Sequence, residues 1–184
     1  AIIQAAIEVS KKGKVVLPEI MIPLVSEFNE LAVIKERLVA VIDQKIKDNG
    51  VVLAYQIGTM IETPRAALLA DQIEKEAEFF SFGTNDLTQM TFGVSRDDSG
   101  MFLPEYVEKR ILKDDPFQVL DATGVGQLIE IAVEKGRRQR SDIKIGVCGE
   151  HGGEPQSVSF CYQHNQYNHK VQEEPNSVHL FLEE

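Results

Sequence analysis

Three short stretches of this 184-residue chain carry groups able to do chemistry. Glu62 lies in Gly58-Thr59-Met60-Ile61-Glu62-Thr63-Pro64. Asn85 and Asp86 lie in Ser81-Phe82-Gly83-Thr84-Asn85-Asp86-Leu87-Thr88-Gln89, and Cys148 lies in Gly146-Val147-Cys148-Gly149-Glu150-His151-Gly152-Gly153. Each group follows an apolar run that reads as a strand, which puts it at the strand's C-terminal end, where parallel α/β folds bind and react. Glu62 and Asp86 are one strand–helix–strand unit apart. If the strands are neighbours, the carboxylates leave adjacent lips roughly 5 Å apart at their bases. Carboxylates that close repel unless they share a proton or a cation. Two hard oxygen anchors suit Mg²⁺, which keeps its other positions for water or substrate oxygens. The plainer alternative is that both carboxylates cap the helices that follow.

Gly83-Thr84-Asn85 lets backbone N–H groups approach an anion, although a glycine at a strand end also serves an ordinary turn. Cys148 reads either as a small buried hydrophobe or, pointing into the same mouth as Glu62 and Asp86, as a nucleophile or proton donor. The pairs Cys148/His151 and Cys161/His164 repeat a C-x-x-H spacing. Structural zinc sites pair cysteine with cysteine and histidine with histidine, so zinc is not expected.

These groups need a frame, and the pattern supplies alternating helices and strands. A helix over 2–12 is stopped by Gly13, and Glu19 to Val25 reads as a strand with Pro23 at its exit. Ser26 is the expected N-cap of a long helix whose apolar face includes Phe28, Leu31, Leu38, Val41, Ile42 and Ile46, ending at Gly50. Ile57–Ile61 reads as a strand covered on both sides. Thr63-Pro64 opens a helix to about Glu78, and Phe79–Phe82 is the next strand. A surface excursion over 95–117, a helix over 124–135 and a strand over 143–147 complete the pattern. Four such units fit an open doubly wound sheet or part of a (β/α)8 barrel, whose full length is about 250 residues. The chain divides into 1–160 and a divergent tail, 161–184, rich in Gln, Asn, His and Glu, which has no clear barrel strand or helix.

Composition narrows the classes. With 43% hydrophobic and 26% charged residues the chain is a globular unit. No apolar run approaches the roughly 20 residues of a membrane span. A formal charge of −10 speaks against nucleic acid or an anionic membrane as partner. An anionic ligand would therefore need a local positive charge, for which a bound metal is the obvious candidate. Two cysteines make no disulfide framework. The N-terminus, lacking Met and a basic leader, reads as the middle of a longer polypeptide rather than a signal peptide.

The motifs, in this order, resemble the pyruvate, phosphate dikinase family of PEP-utilising enzymes, specifically their C-terminal phosphoenolpyruvate/pyruvate-binding domain. Residues 1–159 carry the likeness, most specifically Gly58 to Asp98 and Gly146 to Pro155. Phosphoenolpyruvate synthase and enzyme I of the phosphotransferase system share Glu-Thr-Pro and Gly-Thr-Asn-Asp-Leu-Thr-Gln. Ser95-Arg96-Asp97-Asp98 and Gly149-Glu150-His151-Gly152-Gly153 favour the dikinases.

The resemblance implies the middle and later strands of a (β/α)8 TIM barrel, with Mg²⁺ on Glu62 and Asp86. It implies that Glu62, Gly83, Thr84, Asn85 and Asp86 bind pyruvate or phosphoenolpyruvate, and that Cys148 is the catalytic proton donor. It further implies that ATP, pyruvate and phosphate are interconverted with AMP, phosphoenolpyruvate and diphosphate, using a phosphohistidine on a separate domain. Substrate-clamping arginines are expected outside the chain, with Arg65 no substitute for them. Dimerisation through this domain and a cytosolic, plastid or glycosomal location belong to the same expectation. A metal-dependent lyase acting on 2-oxo acids, a synthase-like transferase domain and a non-catalytic truncated product are the rival readings.

Overall fold

The computed structural model describes residues 1–166, the last two by backbone alone. It shows a four-stranded parallel sheet in the order β1-β2-β3-β4. The strands are β1 (Glu19–Ile22), β2 (Gln56–Ile61), β3 (Phe79–Gly83) and β4 (Lys144–Cys148). The order has no reversal, so it lacks the switch point of a doubly wound sheet.

Around the sheet run α1 (Ile2–Ser10), α2 (Phe28–Asp48), α3 (Pro64–Leu68), α4 (Ala70–Ile73), α5 (Thr84–Phe92), α6 (Arg96–Ser99), α7 (Leu103–Glu108), α8 (Val125–Gln139) and α9 (Pro155–Gln166). Alternation along the strands sorts their residues onto two faces. Ile22, Ile61, Phe80, Phe82, Ile145 and Val147 pack with the helices in one core, which also holds Ala66, Ile73, Ile129 and Val133. A smaller cluster joins Ile3, Ile7, Ile42 and Ile57.

The opposite face carries Glu19, Met60, Ser81, Gly83, Lys144 and Cys148. There Lys144 Nζ lies 2.6 and 2.8 Å from the two carboxylate oxygens of Glu19. In a flat sheet three strand spacings of about 4.8 Å would separate β1 from β4, with side chains standing upright. The ion pair shows that the sheet curls toward this face.

Several expectations need correction. Glu27, not Ser26, caps α2. The Ser26 N–H donates to Glu30 at 3.0 Å and its hydroxyl meets that of Thr63 at 3.0 Å. Val41 is 66% exposed rather than part of the buried stripe. The helix expected over 64–78 is broken at Leu69. Lys135 Nζ takes the Leu68 carbonyl at 2.7 Å, and the Gln72 N–H bonds instead to Leu69 O. The excursion over 95–117 contains α6 and α7. In the region expected to lack regular structure, α9 runs on to Gln166, with Phe160 and Cys161 against the core. The remainder of the 161–184 tail lies outside the described residues.

Candidate functional site

The register aligns the site. Met60 pairs with Ser81 and Ile61 with Phe82, so the next step sets Glu62 beside Gly83. On the other side Gly83 pairs with Cys148. Glu62, Gly83 and Cys148 therefore stand in one row at the C-terminal rim, and alternation puts them on the concave face.

Glu62 is 1% exposed. It does not cap α3. Thr63 does so, its hydroxyl accepting the Ala66 N–H at 3.1 Å. Glu62 Oε1 instead accepts the Leu24 N–H at 2.6 Å. Leu24 has φ +55°, a left-handed conformation that costs a bulky residue roughly 1–2 kcal/mol. That turn after β1 carries the Leu24 N–H to the carboxylate, a role sequence reasoning missed. Pro23 signalled the strand exit, but nothing in the residue types announced Leu24 as a donor.

The other carboxylate oxygen lies across Gly83. A Cβ there would overlap Glu62 Oε2 and fall within 2.7 Å of Met60 Cε. Gly83 is thus a cradle for Glu62, which a larger residue would fill.

Gly83 also begins α5 without a side-chain cap, leaving the first-turn N–H groups of Thr84, Asn85 and Asp86 available to a ligand. Thr84 is fully buried. Asp86 is half-buried on the same turn, at its third position rather than at a cap. Asn85 Oδ1 is buried with no hydrogen-bond partner, as is Ser81 Oγ one row below the rim. A buried amide oxygen left unfilled is costly, and a donor or cation bound at the rim could satisfy it.

Cys148 is buried, and its thiol donates to the Phe82 carbonyl at 3.4 Å. The chain then turns at Gly149, whose φ of +90° is open to glycine and strained for other residues. A Cβ at Gly149 would lie 3.2 Å from Asn85 Nδ2 and 3.3 Å from Thr84 Oγ1. The turn after Cys148 is therefore seated directly on the start of α5. Thr84 Oγ1 lies 3.2 Å from the Cys148 carbonyl oxygen.

His151, fully buried, contacts Thr84 Oγ1 through Nδ1 at 2.7 Å and the Pro116 carbonyl through Nε2 at 3.0 Å. Burial lowers its pKa; the Pro116 hydrogen bond, Glu150 and Glu154 work the other way, and Arg96 adds to the lowering. The second C-x-x-H pair lies elsewhere, on α9. His164 Nδ1 is 3.1 Å from Glu130 and its ring lies against Phe160, while burial pushes the Cys161 thiol up to about 11. Among the described residues no group of three or more His, Cys, Asp or Glu side chains gathers at metal-binding distance. Arg65 pairs with Glu27 at 2.6 Å and donates to the Ser26 carbonyl.

The rim thus combines a buried carboxylate, a second carboxylate on an uncapped helix start, an unfilled amide oxygen and a thiol. Oxygen donors of this kind match a hard divalent cation with two protein anchors.

Comparison with known proteins identifies the family. Residues 1–170 match the family described as PEP-utilising enzyme, PEP-binding domain. Pyruvate, phosphate dikinase of Clostridium symbiosum is 59% identical over 164 residues, covering 89% of this chain and 19% of its own length. The chloroplastic enzyme of Mesembryanthemum crystallinum is 59% identical over 160 residues, covering 87% and 17%. That of Arabidopsis thaliana is 58% identical over 160 residues, again 87% and 17%. The chain thus spans less than a fifth of the length of these curated relatives. With the match running through every motif of the rim, the chain belongs to the PEP-utilising enzymes and carries sequence of their PEP-binding domain.

Proposed function

We propose that the chain is part of a pyruvate, phosphate dikinase, in which it binds Mg²⁺ and pyruvate or phosphoenolpyruvate and supplies the proton donor. The sheet is then a section of a (β/α)8 barrel, a reading supported by its unreversed strand order and by the Glu19–Lys144 pair across its concave face. The observation that carries the proposal is the single row of Glu62, Gly83 and Cys148 at the rim.

In this reading Glu62 and Asp86 hold the metal, with Leu24 N–H fixing the Glu62 carboxylate. When bound, Mg²⁺ supplies positive charge opposite the oxygen on which negative charge develops. The N–H groups at the start of α5 and the Asn85 amide hold and orient the ligand. Cys148, as a neutral thiol, gives its proton to the methylene carbon in the direction of pyruvate; in reverse its thiolate takes a methyl proton. The apolar side chain of Met60, on the same concave face, keeps water from competing for that carbon. Phosphoryl transfer requires the separate phosphohistidine domain, so this chain alone does not turn over phosphoenolpyruvate. Association of two copies and residence in the cytosol, a plastid or a glycosome accompany the same reading. No helix among the described residues is long and apolar enough to cross a membrane.

Oxalate, a planar dianion resembling the enolate of pyruvate, tests the proposal by calorimetric titration with and without Mg²⁺. Binding should require the metal. Glu62→Ala and Asp86→Ala should each weaken it by at least about a hundredfold, equivalent to losing roughly 3 kcal/mol of charge-assisted contact. Cys148→Ala should leave it intact. Metal-independent binding, or binding that survives loss of both carboxylates, would refute the assignment.

A further inference from the structure

His151 is fully buried behind the Cys148 turn, yet no step described above uses it. Its ring links the excursion to the rim through a line of three contacts. Nε2 lies 3.0 Å from the Pro116 carbonyl oxygen, Nδ1 2.7 Å from Thr84 Oγ1, and Thr84 Oγ1 3.2 Å from the Cys148 carbonyl oxygen. Both ends of the line are carbonyls, which only accept. Three protons are therefore needed to fill it, and a neutral imidazole plus one hydroxyl hold two.

The distances decide which contact goes short. A lone pair on Nε2 at 3.0 Å from a carbonyl oxygen would be repulsive, so Nε2 carries the ring proton. Nδ1 is then an acceptor, and the Thr84 hydroxyl turns its proton to Nδ1 at 2.7 Å rather than to Cys148 at 3.2 Å. A third proton, making the imidazolium, would fill every contact at the cost of a buried charge. Glu150 and Glu154 favour that cation and Arg96 opposes it. The other groups facing the ring, the Pro116 carbonyl and the Thr84 hydroxyl, do not titrate.

We propose that His151 is a positioning residue: as the neutral Nε2–H tautomer it fixes the Thr84 hydroxyl, and with it the first turn of α5, against the Cys148 turn and the Pro116 segment. The inference rests on the functional reading for the identity of the ligand, but not for the tautomer. It assigns to a buried histidine the task of keeping ligand-binding N–H groups and the thiol in one fixed relation.

Nitrogen-15 spectra of the imidazole in the intact 184-residue chain test the tautomer directly. Near neutral pH, Nε2 should be protonated and Nδ1 unprotonated with a hydrogen-bonded shift. An Nδ1–H tautomer or an imidazolium would overturn the proposal. Two variants test the positioning role. Asparagine reaches only as far as Nδ1, and glutamine's amide nitrogen takes the place of Nε2. His151→Asn therefore keeps an acceptor for Thr84 and loses Pro116, whereas His151→Gln keeps Pro116 and loses Thr84.

Mg²⁺-dependent oxalate affinity should fall about tenfold in His151→Gln, the worth of roughly one well-placed hydrogen bond, and stay within about threefold in His151→Asn. Equal losses in both variants, or no loss in His151→Gln, would reduce His151 to a packing element. A wild-type chain that binds no oxalate would refute the functional reading instead, and the nitrogen spectra, which need neither ligand nor variant, would still decide the tautomer.

Discussion

In the proposed reading, Glu62, Gly83 and Cys148 divide the work of the rim between charge, space and a proton. Glycine at position 83 is required because Glu62 Oε2 occupies the volume any side chain would take. Behind them, His151 makes the site sensitive to acid. Its burial depresses the folded-state pKa, so the folded chain resists the proton that the unfolded chain accepts near 6.5. That stabilising contribution is present above 6.5 and lost as pH falls through that value toward the folded-state one. Urea midpoints measured on either side of 6.5 should show stability declining on the acid side, with a shallower decline in His151→Gln. An identical pH dependence in both proteins would show that His151 is not the group responsible.

At the scale of elements, the curl of the sheet has its own probe. Glu19 and Lys144 sit on the first and last strands, with side chains 19% and 32% exposed. Partial solvent contact keeps the pair modest, at about 1 kcal/mol. Glu19→Gln should therefore lower the urea midpoint by an amount equivalent to about 1 kcal/mol while leaving oxalate binding unchanged. No change in the midpoint would mean that the two strands do not depend on this contact.

The strands and long helices were legible in the sequence, because apolar runs ending in Ile61, Phe82 and Val147 and the Thr63-Pro64 start depend on local chemistry. The candidate site residues were picked out for the same reason: Glu62 and Cys148 directly follow such runs, and Gly83 to Asp86 follow Phe82. What local chemistry could not show were partners distant in the chain. Lys135 draws off the Leu68 carbonyl and breaks the helix, Leu24 donates to Glu62, and Pro116 meets His151. The helical start of the tail also escaped, since α9 owes its place to Phe160 packing on α8 at Gly126, where a Cβ would come within 2.7 Å of the ring.

For the molecule as a whole, the sequence carries a surplus of ten negative charges, while the functional reading assigns an anionic ligand to the rim. The proposed metal resolves that conflict, and everything in the mechanism follows from where it sits. Mn²⁺, which substitutes for Mg²⁺ on oxygen ligands and broadens nearby nuclear resonances, locates it directly. Added to the isotopically labelled chain, Mn²⁺ should broaden the backbone signals of Glu62, Gly83 to Asp86 and Cys148 to Gly149 most strongly, and those of Glu19 and Lys144, toward the opposite end of the sheet, less. Glu62→Ala should abolish the effect. Broadening centred away from these three strand ends, or unchanged in Glu62→Ala, would contradict the account.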